Sequence, residues 1–362
     1  MGKAQKIVIM VVCWLLLSAL ACSISFDGGE KTSATDMTHE AVNLQVTLQA
    51  QLTQLAQTSG DGSQVQPEVQ ATATTRPSDP CLIAFHTDRD GEFYKIYLMD
   101  AANGEVQRLS PQGDWEDYHA SWSPDGTRIA YISTRDGNEE IYVMAVDGSQ
   151  DIRMTTYEGD DYWPAWSPDG ARIAYVSVRD NVQKIFIMPL DGSEAIQLSP
   201  DDSWGNTHPT WSPDGVSLAY ASNRDGDWDI YLVDADGSGS LQLVNHDSKD
   251  MFPAWSPDGL QIAYATEQDG ENDIFLLGLD GNGEKQLTYT PGDDFVPVWV
   301  PDGELISFTS NRGMVYDVFI MDTDGDNQQL LIESMQDERT AVFSPQCRSD
   351  MLRALSASSG NP

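Results

Sequence analysis

The sequence predicts an all-β fold: a six-bladed β-propeller of four-stranded antiparallel blades, with a C-terminal strand closing the first blade. Three observations carry this. First, Trp-Ser-Pro-Asp-Gly begins at Trp122, Trp166, Trp211 and Trp255. It recurs as Trp-Val-Pro-Asp-Gly from Trp299 and decays to Phe-Ser-Pro-Gln-Cys from Phe343, at spacings of 44 or 45 residues. A fixed period of this length marks a repeat architecture. Second, the two ends are complementary. Ile83-Ala84-Phe85 and Ile96-Tyr97 copy the inner strands without a Trp strand before them, whereas the Phe343 copy has nothing after it. Third, the middle strands are apolar on both faces. Ile141 and Val143 alternate with Tyr142, Met144 and Val146, which suits blades stacked face to face around an axis.

From the N-terminus, Lys3 and Lys6 precede an uncharged apolar run, Ile7 to Leu17, and then Ala19-Leu20-Ala21. This is the pattern of an export signal over residues 1–21 with a small-residue cleavage site. The run is too short to read as a membrane span. Cys22 follows directly, which resembles a bacterial lipoprotein. The resemblance implies acylation at Cys22 and anchoring through an N-terminal lipid; plain secretion is the alternative. Residues 22–80 are rich in Thr, Ser, Gln and Ala and contain no Trp or Tyr, so a low-complexity tether is expected. Within it, 41–57 carries Leu48, Leu52 and Leu55 on a helical spacing among good helix formers, and a short helix is expected there.

The propeller is expected over 81–347. In each Ser-Pro-Asp-Gly, Ser, Pro and Gly occupy positions that favour a type I turn after the Trp strand. A second strand follows as Ile129-Ala130-Tyr131 and its copies at 173, 218, 262 and 306. Arg135-Asp136-Gly137 and Arg224-Asp225-Gly226 mark the next turn, and Ile141-Tyr142 and its copies the third strand. Asp-Gly at 147, 191, 236, 280 and 324 marks the last turn. The small residues Ala130, Ala174, Ala219 and Ala263 let adjacent blades approach. In repeat register Cys347 falls at the position of Gly126 and Cys81 at that of Thr127. They are neighbours in a closed ring, and a disulfide across the closure is predicted. Residues 348–362 are expected to be a disordered tail.

The chain carries 20 basic and 57 acidic residues, a formal charge of −37. That excludes nucleic acid, whose phosphates need Lys and Arg, and adsorption to an anionic membrane. Cations, basic peptides or a well-solvated surface remain compatible with it.

The units Pro-Ala-Trp-Ser-Pro-Asp-Gly, Ile-Ala-Tyr, Arg-Asp-Gly and Asp-Ile-Tyr resemble the repeats of the TolB family over residues 81–347. The resemblance implies the six-bladed fold, an envelope location, and capture of partner proteins at the mouth of the propeller channel. TolB carries an α/β domain before its propeller, where this chain has the tether. Related repeats also precede the hydrolase domain of prolyl-oligopeptidase-type peptidases. No Gly-x-Ser-x-Gly elbow of that class is present in the sequence.

Five residues before each Trp stands an acid or amide: Asp117, Asp161, Asn206, Asp250, Asp294 and Glu338. If the Trp strand is innermost, these six ring one mouth of the channel and offer a site for a cation or for Lys and Arg of a partner. Asp side chains that cap their own turns are the alternative. The next two positions supply Tyr118, His119, Tyr162, Trp163, His208, Phe252 and Phe295, suited to a basic or proline-containing peptide or to packing between blades. His119 and His208 stand two blades apart, so no shared metal is expected. Asp322, Asp324, Asp326 and Glu333 imitate a calcium loop, but Asn327 takes the place of its required glycine. No cofactor is expected. The sequence thus reads as a monomeric, exported binding module for a protein or peptide. An enzyme with a channel metal, hydrolase or lyase, and a structural envelope component are the alternatives.

Overall fold

The computed structural model describes residues 80–359 apart from 201, 202, 269, 282, 333 and 334. The expected signal, Cys22, the tether up to residue 79 and the 41–57 helix lie outside the described residues.

Among the described residues, twenty-four strands form six four-stranded antiparallel sheets. Five are built from consecutive strands: β4–β7 (Asp117–Trp122, Arg128–Ser133, Glu140–Ala145, Ile152–Arg153), β8–β11 (Asp161–Trp166, Arg172–Arg179, Val182–Pro189, Ile196–Gln197), β12–β15 (Asn206–Trp211, Ser217–Ser222, Asp229–Asp234, Leu241–Gln242), β16–β19 (Asp250–Trp255, Gln261–Gln268, Glu271–Gly278, Gly283–Gln286) and β20–β23 (Asp294–Trp299, Leu305–Ser310, Asp317–Asp322, Gln329–Ile332). The sixth has the order β24-β1-β2-β3, with β24 (Glu338–Phe343) beside β1 (Leu82–Thr87), then β2 (Lys95–Asp100) and β3 (Val106–Arg108). Ile83 pairs with Phe343 and Thr87 with Glu338, so the tail supplies the strand that the head lacks. Cys81 and Cys347 are disulfide-bonded, 266 residues apart in sequence. In the chain-entropy account, closing so long a loop contributes up to about 5 kcal/mol.

The double-faced strand pattern becomes a set of clusters between neighbouring blades. Tyr131, Tyr142 and Met144 pack with Ala84, Ile96 and Leu98 of the blade before. The alternate residues Ala130, Ile132, Ile141 and Val143 pack with Trp166, Ile173, Tyr175 and Phe186 of the blade after. Trp side chains also staple blades. Trp122 Nε1 donates to Val342 O, Trp211 Nε1 to Ala165 O and Trp299 Nε1 to Ala254 O, each at 3.1 Å.

The expected disordered tail is a helix, α1 (Ser349–Ser359). Leu352 is fully buried and Leu355 packs against the cluster shared by the first and last blades. Ser349 is held by Asp302. Met, Leu, Arg and Ala favour the helix locally, but its anchoring is tertiary, which composition does not reveal.

Candidate functional site

The inner strands β4, β8, β12, β16, β20 (Asp294–Trp299) and β24 surround the channel, and each breaks register. The ladder shifts between the residues four and one before the Trp position, as between Tyr118 and Ser121. The residue three before it takes positive φ in all six: His119 (49°), Trp163 (53°), His208 (53°), Phe252 (57°), Val296 (51°) and Thr340 (51°). Such bulges leave a residue unpaired and re-aim its side chain. Here they bring four aromatic rings together. His119 and Trp163 centroids lie 3.8 Å apart, Trp163 and His208 4.3 Å, and His208 and Phe252 4.2 Å. His86 extends the row, 5.0 Å from His119. The Trp163 ring lies in contact with both His119 and His208.

The histidines of this constriction are held neutral. Burial, with the charge of Arg339, lowers His119 to about 3. Burial and the neighbouring His119 bring His208 well below its ordinary value. Burial does the same to His86, aided by His119 and Arg339.

The six residues expected to ring the mouth are instead sealed inside the blades, none more than 1% exposed. Asp294 accepts from Arg312 Nη2 at 2.9 and 3.1 Å, and Glu338 from Arg89 Nη2 at 2.6 Å. Asp117 accepts from Trp115, Lys95 and Arg135, and Asn206 from Arg224 at 3.5 Å. Asp250 faces His246 at 3.0 Å. Asp161 has a buried oxygen without a hydrogen-bond donor, and burial pushes its pKa up to about 6. For Asp117, Asn206, Asp294 and Glu338 the reason is the arginine turn after the second strand of the blade. Its arginine lies over an aromatic ring of its own blade, as Arg224 over Tyr231 at 4.1 Å and Arg312 over Phe319 at 4.5 Å, and points back to the inner strand. Neither a solvent-facing ring nor a simple turn cap describes these positions.

The acids that do reach the mouth stand one residue earlier. Glu116, Asp160, Asp293 and Asp337 precede four of the buried six and are partly or fully exposed; Gly205 and Lys249 stand before the other two. With Glu139, the residue before β6, Glu116 and Asp160 form a carboxylate cluster beside Tyr118 and Tyr162. Tyr118 Oη donates to Glu139, and the backbone N–H of Glu139 donates to Asp160. Burial, then the charges of Asp160 and Glu116, holds Glu139 above the usual carboxylate range. Asp337 is engaged differently, accepting from Tyr94 at 3.0 Å and from Arg339 at 2.8 Å. Phe295 packs edge-on to Tyr316 at 5.5 Å. Acids stand six before the Trp position in four of the six copies, a pattern present in the sequence but overshadowed by the more regular column beside it.

On the other side of the constriction lies a cavity of about 370 Å3. It runs from Trp163, His208 and Phe252 to the Trp ends of the inner strands, past Pro164, Pro209, Pro253 and Pro297. The calcium-like loop is occupied by protein contacts: Asp322 accepts from Arg353 and Asn327, and Asp324 from the N–H of Asp326. Glu333 lies outside the described residues. Among the described residues, no three His, Cys, Asp or Glu side chains converge as a metal site.

The TolB beta propeller domain family matches residues 52–163, 121–251 and 238–350. The chain belongs to the TolB beta propeller domain family. The Tol-Pal system protein TolB of Thioalkalivibrio sulfidiphilus (strain HL-EbGR7) is 50% identical over 38 residues, which span 10% of this chain and 9% of that relative. TolB from Acinetobacter baumannii superposes with a TM-score of 0.65 at 21% identity, over 73% of this chain and 66% of that one. A TolB-like protein from Agrobacterium tumefaciens superposes with a TM-score of 0.57 at 22% identity, over 73% of this chain and 98% of that one. At these identities the two structures share the fold of this TolB-like propeller.

Proposed function

We propose that this TolB-like propeller is a binding module whose acidic, aromatic channel mouth takes a basic residue of a partner protein. One observation carries the reading: Glu116, Glu139 and Asp160 crowd around Tyr118 and Tyr162, and burial, then the repulsion of Asp160 and Glu116, raises Glu139. A Lys or Arg inserted among them relieves that repulsion, and the rings contribute cation–π attraction of about 0.5–2 kcal/mol. The aromatic constriction sets the depth of entry. The buried acids Asp117, Asp161, Asp250, Asp294 and Glu338 hold the inner strands rather than the ligand. The name of the Thioalkalivibrio relative, a Tol-Pal system protein, supports a protein partner in the cell envelope. Export and attachment at Cys22 belong to the same reading. They are supported by the apolar run before Cys22 and by the Cys81–Cys347 bond, which suits an oxidising compartment.

The test titrates the protein with fluorescent Lys- and Arg-containing proline peptides and their Glu counterparts. Basic peptides should bind, and more weakly as salt is raised. Combining Glu116→Gln, Glu139→Gln and Asp160→Asn should weaken them about tenfold, or ~1.4 kcal/mol. Unchanged affinity in the triple variant would remove the cluster from the site. Separately, Cys22→Ala should move the protein from the membrane to the soluble fraction.

A further inference from the structure

We propose that the cavity on the tryptophan side of the constriction is a docking site for this chain's own segment Val46–Gln57. This goes beyond the mouth reading and does not depend on it. The cavity is lined by no Asp, Glu, Lys or Arg, in a chain of formal charge −37. Four of its wall residues, Pro164, Pro209, Pro253 and Pro297, have no N–H to donate. Such a wall disfavours a charged occupant, which would lose its hydration without compensation. It favours an uncharged, aliphatic one.

The sequence before the propeller contains such a stretch. From Ala41 to Gly60 there is no Asp, Glu, Lys or Arg, and Val46, Leu48, Leu52 and Leu55 fall within it. The point where the chain joins the ring is also favourable. Leu82 N donates to Ser344 Oγ at 3.0 Å, and β1 is bonded to β24, whose Val342 and Phe343 line the cavity. The chain therefore enters the ring about one strand spacing, ~4.8 Å, from the cavity wall. Residues 58–79 are long enough to bridge the distance, since a chain of that length spans at most ~75 Å fully extended. A segment tethered so closely experiences an effective concentration in the millimolar range. Even weak apolar docking is then populated, and the segment competes with any outside ligand for that end of the channel.

Two experiments on the full chain decide it. A benzophenone amino acid placed at position 48 or 52 should cross-link, within one molecule, to Pro253–Trp255 or Pro297–Trp299. Adducts between two chains, adducts elsewhere on the blades, or no adducts would overturn the proposal. Second, Leu48→Asp with Leu52→Asp should free the cavity. A fluorescent peptide of sequence Val46–Gln57 should then bind the variant at least about tenfold more tightly than the unaltered chain. Equal binding, or none by either, would equally overturn it. The basic peptides that probe the mouth should bind both proteins alike, so failure here leaves the mouth reading standing.

Discussion

Asp302 holds Ser349 by two hydrogen bonds: its carboxylate accepts the backbone N–H at 2.7 Å and the hydroxyl at 2.6 Å. In four other blades the Asp of the same turn accepts from the serine two residues before it, as Ser123 to Asp125 at 2.6 Å. In the Trp299 copy that serine is Val300. The missing hydroxyl leaves the Asp302 carboxylate to the start of α1.

Asp302→Ala should therefore release the helix rather than merely loosen a turn. The expected cost is about 1–2 kcal/mol, read as a lower urea midpoint. Hydrogen exchange should rise selectively at Leu352 to Leu355, which pack on the first and last blades. Protection equal to the unaltered protein would show that apolar contact alone holds the helix. Asp302→Asn, which keeps acceptor capacity, should lose less.

The blades were legible because each strand repeats its pattern six times and both faces of that pattern are buried. The closing pair Ile83 and Phe343 and the Cys81–Cys347 bond followed from register alone. The site was legible only to within a residue. Regularity at Asp117 and its copies signalled structural duty, since Asp117, Asn206, Asp294 and Glu338 each meet the arginine turn of their own blade. The positions facing the channel at His119, Trp163, His208, Phe252, Val296 and Thr340 vary in residue type. What unites them is a backbone angle that no side-chain column records. Helix α1 was hidden because its cap comes from a turn 47 residues earlier.

Val296 makes that backbone angle testable. A β-branched residue at φ 51° is strained, by roughly 1–2 kcal/mol. Glycine relieves the strain while removing a side chain that is 8% exposed. Val296→Gly should thus be milder, by about 1–2 kcal/mol, than Val300→Gly at a fully buried site without positive φ. Chemical denaturation of the two variants gives the comparison. Equal losses would mean that the bulge stores no strain at this blade.

His246 should make the blade of β16–β19 sensitive to pH. Five copies carry arginine thirteen residues after the Trp position or its equivalent, at 89, 135, 179, 224 and 312; the sixth has Gln268. In that blade His246 faces Asp250 through Nδ1 and Glu284 through Nε2, both at 3.0 Å. Burial alone would lower the His246 pKa, but the hydrogen bonds and charges of Asp250 and Glu284 outweigh it and raise it. A histidine whose pKa is higher folded than unfolded contributes stability that is complete below about 6.5 and lost as pH rises through the folded value. Asp250, raised by burial despite His246, adds a cost of its own once ionised. The thermal midpoint of the unaltered protein should therefore exceed that of His246→Gln most at pH 5.5–6, and the gap should narrow towards pH 9. Restoring the consensus with Gln268→Arg in the His246→Gln background should recover stability without pH dependence over that range, because guanidinium stays charged. A gap that stays constant from pH 6 to 9 would mean that His246 supports Asp250 as a neutral hydrogen-bond partner and not as a cation.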